Sequence, residues 1–201
     1  MIKKVGVIGS GQMGNGIAHV AALAGYDVVL NDVSPDRLKS AMATINGNLT
    51  RQAAKKTITE AAHKQALSRI EAVESLDGLA DCDLVIETAV EKEDVKRKIF
   101  QDLCAILKPE AIIGSNTSSI SITRLAASTD RPERFIGIHF MNPVPVMELV
   151  ELVRGIATDD ATFDVARDFV TSLGKQIAVS EDFPAFIVNR ILLPMINEAI
   201  Y

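Results

Sequence analysis

The chain has 201 residues, of which 48% are hydrophobic and 23% are charged, and its formal net charge is −5. This composition is typical of a globular protein with one large domain, or one domain and part of a second. The acidic balance argues against a nucleic-acid partner, which would favour a basic surface. The two cysteines, Cys82 and Cys104, form no disulfide framework, so a reducing, cytoplasmic setting is expected.

The N-terminal region predicts a dinucleotide-binding turn. An apolar run within residues 2–8 predicts a buried parallel strand, and residues 17–23 give a helix an apolar face that ends at Gly25. Between them a G-x-G-x-x-G turn comprises Gly9, Ser10, Gly11, Gln12, Met13 and Gly14. Such a turn lets a pyrophosphate approach the backbone and the positive end of the helix dipole. So many glycines and polar residues also argue against a secretory or membrane-spanning segment.

An acid follows the turn at the expected distance. Residues 27–30 predict a second strand, and Asp32 stands just beyond it, 18 residues after Gly14. A carboxylate in this position binds the adenosine ribose hydroxyls, and its charge would repel a 2′-phosphate. We therefore expect NAD rather than NADP. The alternatives are a glycine-rich turn that binds nothing, and a surface turn position for Asp32.

Helices and strands alternate along the rest of the chain. Residues 35–46 and 49–67 are predicted to form two helices separated at Gly47. Further strands are predicted at 83–87, 111–115, 135–140 and 149–153, with helices at 92–107 and 159–173. This alternation predicts an α/β fold with a doubly wound, mostly parallel sheet. The second helix carries a row of basic side chains, which is either a solvated face or a landing site for an anionic substrate tail: Arg51, Lys55, Lys56, Lys64 and Arg69.

The last segment, residues 185–201, predicts a helix that is apolar on most sides. A helix of this kind is normally buried, so we expect it to pack against a helical domain that follows Tyr201. The alternatives are that it folds back on the sheet or pairs with a second copy. We therefore predict a dinucleotide-binding domain at 1–183, with a helical hairpin at about 35–67, and the start of an all-helical second domain at 184–201.

Polar residues near the predicted strand ends could carry out chemistry. Oxidation of a secondary alcohol needs a hydride acceptor and a base, and a histidine paired with a carboxylate suits the second role. Serine and asparagine could hold the substrate oxygen while negative charge develops on it. Each candidate also has a structural explanation, such as an interior histidine or a helix-capping serine. The candidates are Ser118, His139, Glu151 and Asn189. No metal site is predicted.

These segments resemble the L-3-hydroxyacyl-CoA dehydrogenase family, which includes bacterial 3-hydroxybutyryl-CoA dehydrogenases. The resemblance covers essentially the whole chain and rests on residues 9–14, 115–119, 139–145, 148–151 and 186–190. It implies a Rossmann-like fold, an NAD cofactor, an acyl-CoA substrate and a role in fatty-acid metabolism such as beta-oxidation. It also implies a homodimer formed through a C-terminal helical domain, without a membrane partner.

The resemblance also implies roles for single residues. His139 corresponds to the general base and Glu151 to its paired acid, with Ser118 and Asn189 on the substrate. The CoA moiety is expected near Asn48 and Lys55. Besides the glycine turn, the expected cofactor site comprises Asp32, Ala89, Glu91, Lys96, Ser118 and Asn142, of which Glu91, Lys96 and Asn142 lie at the nicotinamide.

Two other functions remain open at this point. The chain could belong to another NAD-dependent hydroxy-acid dehydrogenase of the same family. Enzymes with a similar glycine turn that use a lysine base are disfavoured, because no lysine follows Lys175. The chain could also be a cofactor-binding module that turns nothing over without its C-terminal domain.

Overall fold

Eight strands pair into one sheet in the computed structural model, which describes residues 2–201. The strands are β1 (Lys4–Ile8), β2 (Asp27–Asn31), β3 (Ile70–Val73), β4 (Leu84–Glu87), β5 (Ile112–Ser115), β6 (Phe135–Phe140), β7 (Leu149–Arg154) and β8 (Gln176–Glu181). Their order is β3-β2-β1-β4-β5-β6-β7-β8. The first six strands are parallel, whereas β7 pairs antiparallel with β6 and parallel with β8. The predicted doubly wound, mostly parallel α/β sheet is confirmed.

The residues that the structure describes form seven α-helices, of which the first six lie between strands and cover both faces of the sheet, whereas the last follows β8. They are α1 (Gln12–Leu23), α2 (Pro35–Ala54), α3 (Glu60–Ser68), α4 (Glu93–Cys104), α5 (Ile122–Ala126), α6 (Asp160–Ser172) and α7 (Val188–Ile200). Apolar side chains of α1, α2 and α6 form the core on one face, and those of α4 and α5 form it on the other. The central strands are therefore buried on both sides, which explains their continuous apolar runs.

The helical hairpin exists, but the predicted break at Gly47 is wrong. Helix α2 runs through Gly47 to Ala54, and the chain turns before α3, where Lys56 has a φ of 60°. A single glycine costs a helix only about 1 kcal/mol. Here that cost is offset by one unbroken apolar stripe that packs against α1, formed by Leu38, Ala41, Ile45 and Leu49.

Two strands and one helix were absent from the prediction. β3 and β8 lie at the two edges of the sheet and are largely exposed, so neither has the continuous apolar run of a central strand. The short helix α5 was also missed. The last helix begins at Val188 rather than at residue 185, because Ala185 and Phe186 have positive φ angles of 68° and 48°.

Helix α7 leaves the sheet with its apolar side chains uncovered. None of its residues is buried, and Ile191, Leu193 and Met195 are among its exposed apolar side chains. Among residues 2–201, no helix combines the length and the apolar character that crossing a membrane requires.

Candidate active site

Asp32 holds the glycine turn between β1 and α1. Its Oδ2 accepts hydrogen bonds from the Ser10 backbone N–H and the Ser10 hydroxyl, both at 2.9 Å, and its Oδ1 accepts one from the Ser34 N–H at 3.1 Å. Burial alone would raise the pKa of Asp32, but the hydrogen bonds from Ser10 outweigh it and hold the pKa below its ordinary value. The ionised carboxylate therefore fixes the turn from the end of β2.

The glycine turn has the shape that a pyrophosphate requires. A Cβ at Gly14 would lie 1.7 Å from the Gly9 carbonyl oxygen, so only glycine lets α1 start this close to β1. At Gly11, by contrast, nothing lies within 4 Å of the Cβ position. Gly11 is also the N-cap of α1 and offers no side chain to the first N–H groups of the helix. These free N–H groups and the positive dipole end suit a diphosphate.

A cleft of about 580 Å³ opens at the carboxyl edge of the sheet, between the glycine turn and the start of α7. Carboxyl edges are where folds of this class bind their ligands. The cleft brings together predicted site residues from segments far apart in the chain: Met13, Ala89, Glu91, Ser118, His139, Asn142 and Asn189.

His139 and Glu151 form a pair on the wall of this cleft. The two residues are directly opposite each other in the antiparallel ladder of β6 and β7, and His139 Nδ1 lies 2.6 Å from Glu151 Oε2. Glu151 is completely buried, so the histidine provides the partner that a buried carboxylate needs. An ionised carboxylate can only accept, so Nδ1 carries the proton. Among residues 2–201, His139 Nε2 has no hydrogen-bond partner.

The second oxygen of Glu151 anchors the start of the last helix. Oε1 accepts hydrogen bonds from the backbone N–H groups of Ile187 at 2.9 Å and Val188 at 2.8 Å. Burial alone would raise the pKa of Glu151, but the hydrogen bonds from His139, Val188 and Ile187 outweigh it and hold the pKa below its ordinary value. Glu151 therefore stays ionised and connects the histidine to α7.

Glu91 accepts several hydrogen bonds from the loop that follows β5. Its Oε1 accepts hydrogen bonds from the Thr117 hydroxyl at 2.6 Å, the Ser118 N–H at 2.8 Å and the Ser118 hydroxyl at 3.1 Å. Burial alone would raise the pKa of Glu91, but these hydrogen bonds and the Lys96 charge outweigh it and lower the pKa. Asn189 reaches the same loop from α7, because its side-chain amide donates to the Ser118 carbonyl at 3.3 Å.

Comparison with known proteins decides the family. The sequence profile of the 3-hydroxyacyl-CoA dehydrogenase NAD-binding domain matches residues 4–183. The chain belongs to this family. A 3-hydroxybutyryl-CoA dehydrogenase from Bradyrhizobium diazoefficiens is 82% identical over all 201 residues, which span 69% of that protein. The predictions of the family, the fold class and NAD as the cofactor are confirmed.

Solved structures of family members have the same fold. An (S)-3-hydroxybutyryl-CoA dehydrogenase from Ralstonia eutropha superposes with a TM-score of 0.97 at 48% identity, covering 99% of this chain and 70% of that one. A 3-hydroxybutyryl-CoA dehydrogenase from Escherichia coli also superposes with a TM-score of 0.97, at 41% identity, covering 99% of this chain and 42% of that one.

A second groove of this 3-hydroxyacyl-CoA dehydrogenase domain, about 520 Å³ in volume, runs between the glycine turn and α2. Ser10, Gly11, Gln12, Asn48 and Asn142 are among the residues that line it. Lys55 lies beyond Asn48 at the end of α2, where it is exposed and outside the lining. Arg69 pairs with Asp27 at 3.2 Å, at the amino end of β2, so the predicted basic row does not form one surface at the groove.

Lys96, a predicted cofactor residue of this family domain, lies behind the cleft wall rather than on it. Its ammonium group is buried and lies 2.7 Å from Glu87 Oε1 and 3.4 Å from Glu91 Oε2. Glu87 was not among the predicted site residues. Its place directly after the apolar residues Leu84, Val85 and Ile86 at the carboxyl end of β4 is the signal that could have identified it. Ser115 and Thr117 were likewise missed, although they flank Asn116 in the polar segment that begins at the carboxyl end of β5.

Proposed function

We propose that this chain provides the cofactor site and the base of an enzyme that interconverts (S)-3-hydroxyacyl-CoA and 3-oxoacyl-CoA by hydride transfer with NAD. The observation that carries the proposal is the His139–Glu151 pair, at 2.6 Å, on the wall of a cleft that begins beside the glycine turn. The similarity to enzymes named for 3-hydroxybutyryl-CoA supports a short-chain substrate, with acetoacetyl-CoA as its oxidised form.

In this reaction His139 acts as the general base. During oxidation its Nε2 takes the proton of the C3 hydroxyl, while Nδ1–H keeps its hydrogen bond to Glu151. The negative charge of Glu151 stabilises the imidazolium that forms, and its fixed position keeps the correct ring nitrogen towards the cleft. When bound, NAD supplies the hydride acceptor. In the reverse direction the imidazolium returns its proton to the oxygen at C3.

Ser118 and Asn189 are proposed to hold the substrate oxygen. Both line the cleft with His139, and both have polar hydrogens that are engaged within the chain. The Ser118 hydroxyl donates to Glu91, and the Asn189 amide donates to the Ser118 carbonyl. These bonds, at 3.1 and 3.3 Å, are long, so exchanging them for a charged oxygen costs little. Substrate binding would then turn both donors towards C3.

The remaining predictions are proposed together. The groove beside Asn48 suits the CoA moiety, and Lys55 at the end of the same helix would meet its phosphates. We propose a dinucleotide-binding domain at 1–183 and, at 184–201, the first helix of an all-helical domain. The uncovered apolar side chains of α7 support this division. We further propose a cytoplasmic homodimer formed through that second domain.

The substrate is tested by following NADH absorbance with acetoacetyl-CoA. The assay uses this chain and a version that continues past Tyr201 to the length of the Bradyrhizobium relative. We expect the longer form to oxidise NADH, since the second domain would close the cleft. A longer form that binds NADH and leaves acetoacetyl-CoA unchanged would contradict the proposed substrate.

A second candidate is cofactor binding without turnover. The exposed apolar face of α7 favours it for the 201-residue form, because the part of the cleft wall that this helix begins is uncovered. Titration with NADH, beside the acetoacetyl-CoA assay, separates the two. Binding by both forms with turnover only in the longer one would support this candidate for the short chain.

Asp32→Asn is expected to weaken the preference for NADH over NADPH by about tenfold, because it removes a charge that repels a 2′-phosphate. The amide oxygen can still accept from Ser10, so the glycine turn keeps its shape, whereas the hydrogen bond from the Ser34 N–H to Oδ1 is lost. Equilibrium binding of both cofactors gives the ratio of their Kd values. Asp36→Asn, the same change on the exposed first turn of α2, serves as the control and should leave the ratio unchanged. If the ratio of the NADH and NADPH Kd values is the same in Asp32→Asn as in Asp36→Asn, Asp32 does not select between the two cofactors.

A further inference from the structure

Glu87 lies beneath the cleft and has no part in the proton transfer proposed above. It ends β4 and is completely buried. Its Oε1 accepts hydrogen bonds from the Lys96 ammonium at 2.7 Å and the Ala89 N–H at 2.6 Å, and its Oε2 accepts one from the Ser115 hydroxyl at 2.8 Å. An ammonium and an amide N–H can only donate, so Oε1 accepts from both. Burial raises the pKa of Glu87 above its ordinary value, and the Lys96 ammonium with the other two donors opposes this and stabilises the ionised carboxylate.

Lys96 connects Glu87 to the cleft wall. Its Nζ lies between two carboxylates, 2.7 Å from Glu87 and 3.4 Å from Glu91, and only 1% of its side chain is exposed. A buried ammonium is costly unless it is paired, which accounts for the first carboxylate. The second carboxylate, that of Glu91, is in excess of what the single ammonium can neutralise. Glu87, Lys96 and Glu91 together therefore carry one net negative charge. The exposed end of this charged cluster is Glu91, whose side chain is 39% exposed and lines the cleft.

We propose that Glu87 is a positioning residue that maintains this net negative charge, and that the charge stabilises bound NAD⁺ without stabilising bound NADH. The oxidised nicotinamide ring carries a positive charge and the reduced ring is neutral, so a nearby negative charge stabilises only the first. The charge acts strongly because most of the cluster is shielded from water. The inference rests on the proposed function, since it takes the Glu91 side of the cleft as the nicotinamide side.

The contacts of Glu87 also allow a purely structural role, because they tie the ends of β4 and β5 together. The two roles differ in what they predict for cofactor binding. A structural role would change the affinities for NAD⁺ and NADH alike. A role through charge changes their ratio, because only one of the two rings is charged.

The test is calorimetric titration of the folded chain with NAD⁺ and with NADH. In Glu87→Gln the shape of the side chain is kept and the cluster becomes neutral. We expect the Kd of NAD⁺ to rise about tenfold and the Kd of NADH to stay within about twofold. Glu93→Gln is the matched control, because Glu93 starts the same helix as Lys96 but pairs with Arg124 at 2.9 Å outside the cleft lining. Its Kd ratio should stay within about twofold of the parent ratio.

A double variant, Glu87→Gln with Lys96→Met, separates charge from stability. It removes one charge of each sign, so Glu91 alone carries the net charge, and buried ion pairs often tolerate neutral replacement. Because Lys96 is itself a predicted cofactor residue, both Kd values can change in the double variant. We expect their ratio, which reports the charge, to stay within about twofold of the parent ratio, whether or not the single variant folds. A tenfold change of the Kd ratio in the double variant overturns the proposal, and so does an unchanged Kd ratio in the folded single variant. A parent chain that binds neither NAD⁺ nor NADH overturns it as well. A parent that binds both forms but leaves acetoacetyl-CoA unchanged contradicts only the proposed substrate.

Discussion

His139→Ala is expected to lower turnover of acetoacetyl-CoA in the longer form by about 10²- to 10⁴-fold, the usual loss when a general base is removed. The Kd of NADH should change little. His139 lines the cleft, but the glycine turn that would hold the diphosphate is built from α1 and Asp32. Steady-state rates and NADH titration measure the two effects separately. The loss should appear in kcat more than in KM, because proton transfer stabilises the transition state rather than the bound substrate.

His63→Ala is the matched control for this variant. His63 lies on α3 and contacts Asn46 at 2.8 Å, away from the cleft lining, so its loss should leave turnover near the parent rate. Near-parent turnover in His139→Ala would remove His139 from the mechanism. An equal loss of NADH affinity and turnover would instead assign the residue a structural role.

Gly14→Ala is expected to have the largest effect on folding. Its Cβ would lie 1.7 Å from the Gly9 carbonyl oxygen and 2.8 Å from the Thr88 hydroxyl, and the first of these is backbone that cannot rotate away. Overpacking of this kind costs about 3 kcal/mol, which lowers the Tm by roughly 10 °C in a domain of this size. NADH affinity should fall at least about tenfold, because α1 must move away from the turn that presents its N–H groups. Thermal unfolding and NADH titration measure both effects.

Gly11→Ala is the matched control for packing. Nothing lies within 4 Å of its Cβ position, and its φ of −63° and ψ of −166° suit alanine. The Tm should therefore stay within about 2 °C of the parent value. The NADH affinity should still fall about tenfold, because the methyl group lies where the pyrophosphate would approach. If Gly11→Ala binds NADH as well as the parent does, the diphosphate does not lie on this turn. An unchanged Tm in Gly14→Ala would contradict the close packing of α1 on β1.

Local features of the chain were sufficient for the central part of the fold and for the family. The glycine turn, the continuous apolar runs of β1, β4, β5 and β6, and the spacing of the acid at residue 32 are all recognisable in short stretches of the sequence. A strand buried on both faces must be apolar throughout, so its composition identifies it. The same reasoning failed for β3 and β8, because an edge strand is half exposed and its pattern resembles that of a loop.

The residue pattern also predicted a histidine paired with a carboxylate, and it supplied His139 and Glu151 as the candidates. Only the tertiary structure decided how they meet. The antiparallel turn between β6 and β7 brings His139 opposite Glu151 across 12 residues, and the parallel pairing of β4 with β5 brings Glu87 to Ser115 across 28. The charged cluster behind the cleft follows from that pairing. Strand register and burial are relations between distant residues, and no local pattern of charge or hydrophobicity encodes which two carboxylates share one lysine.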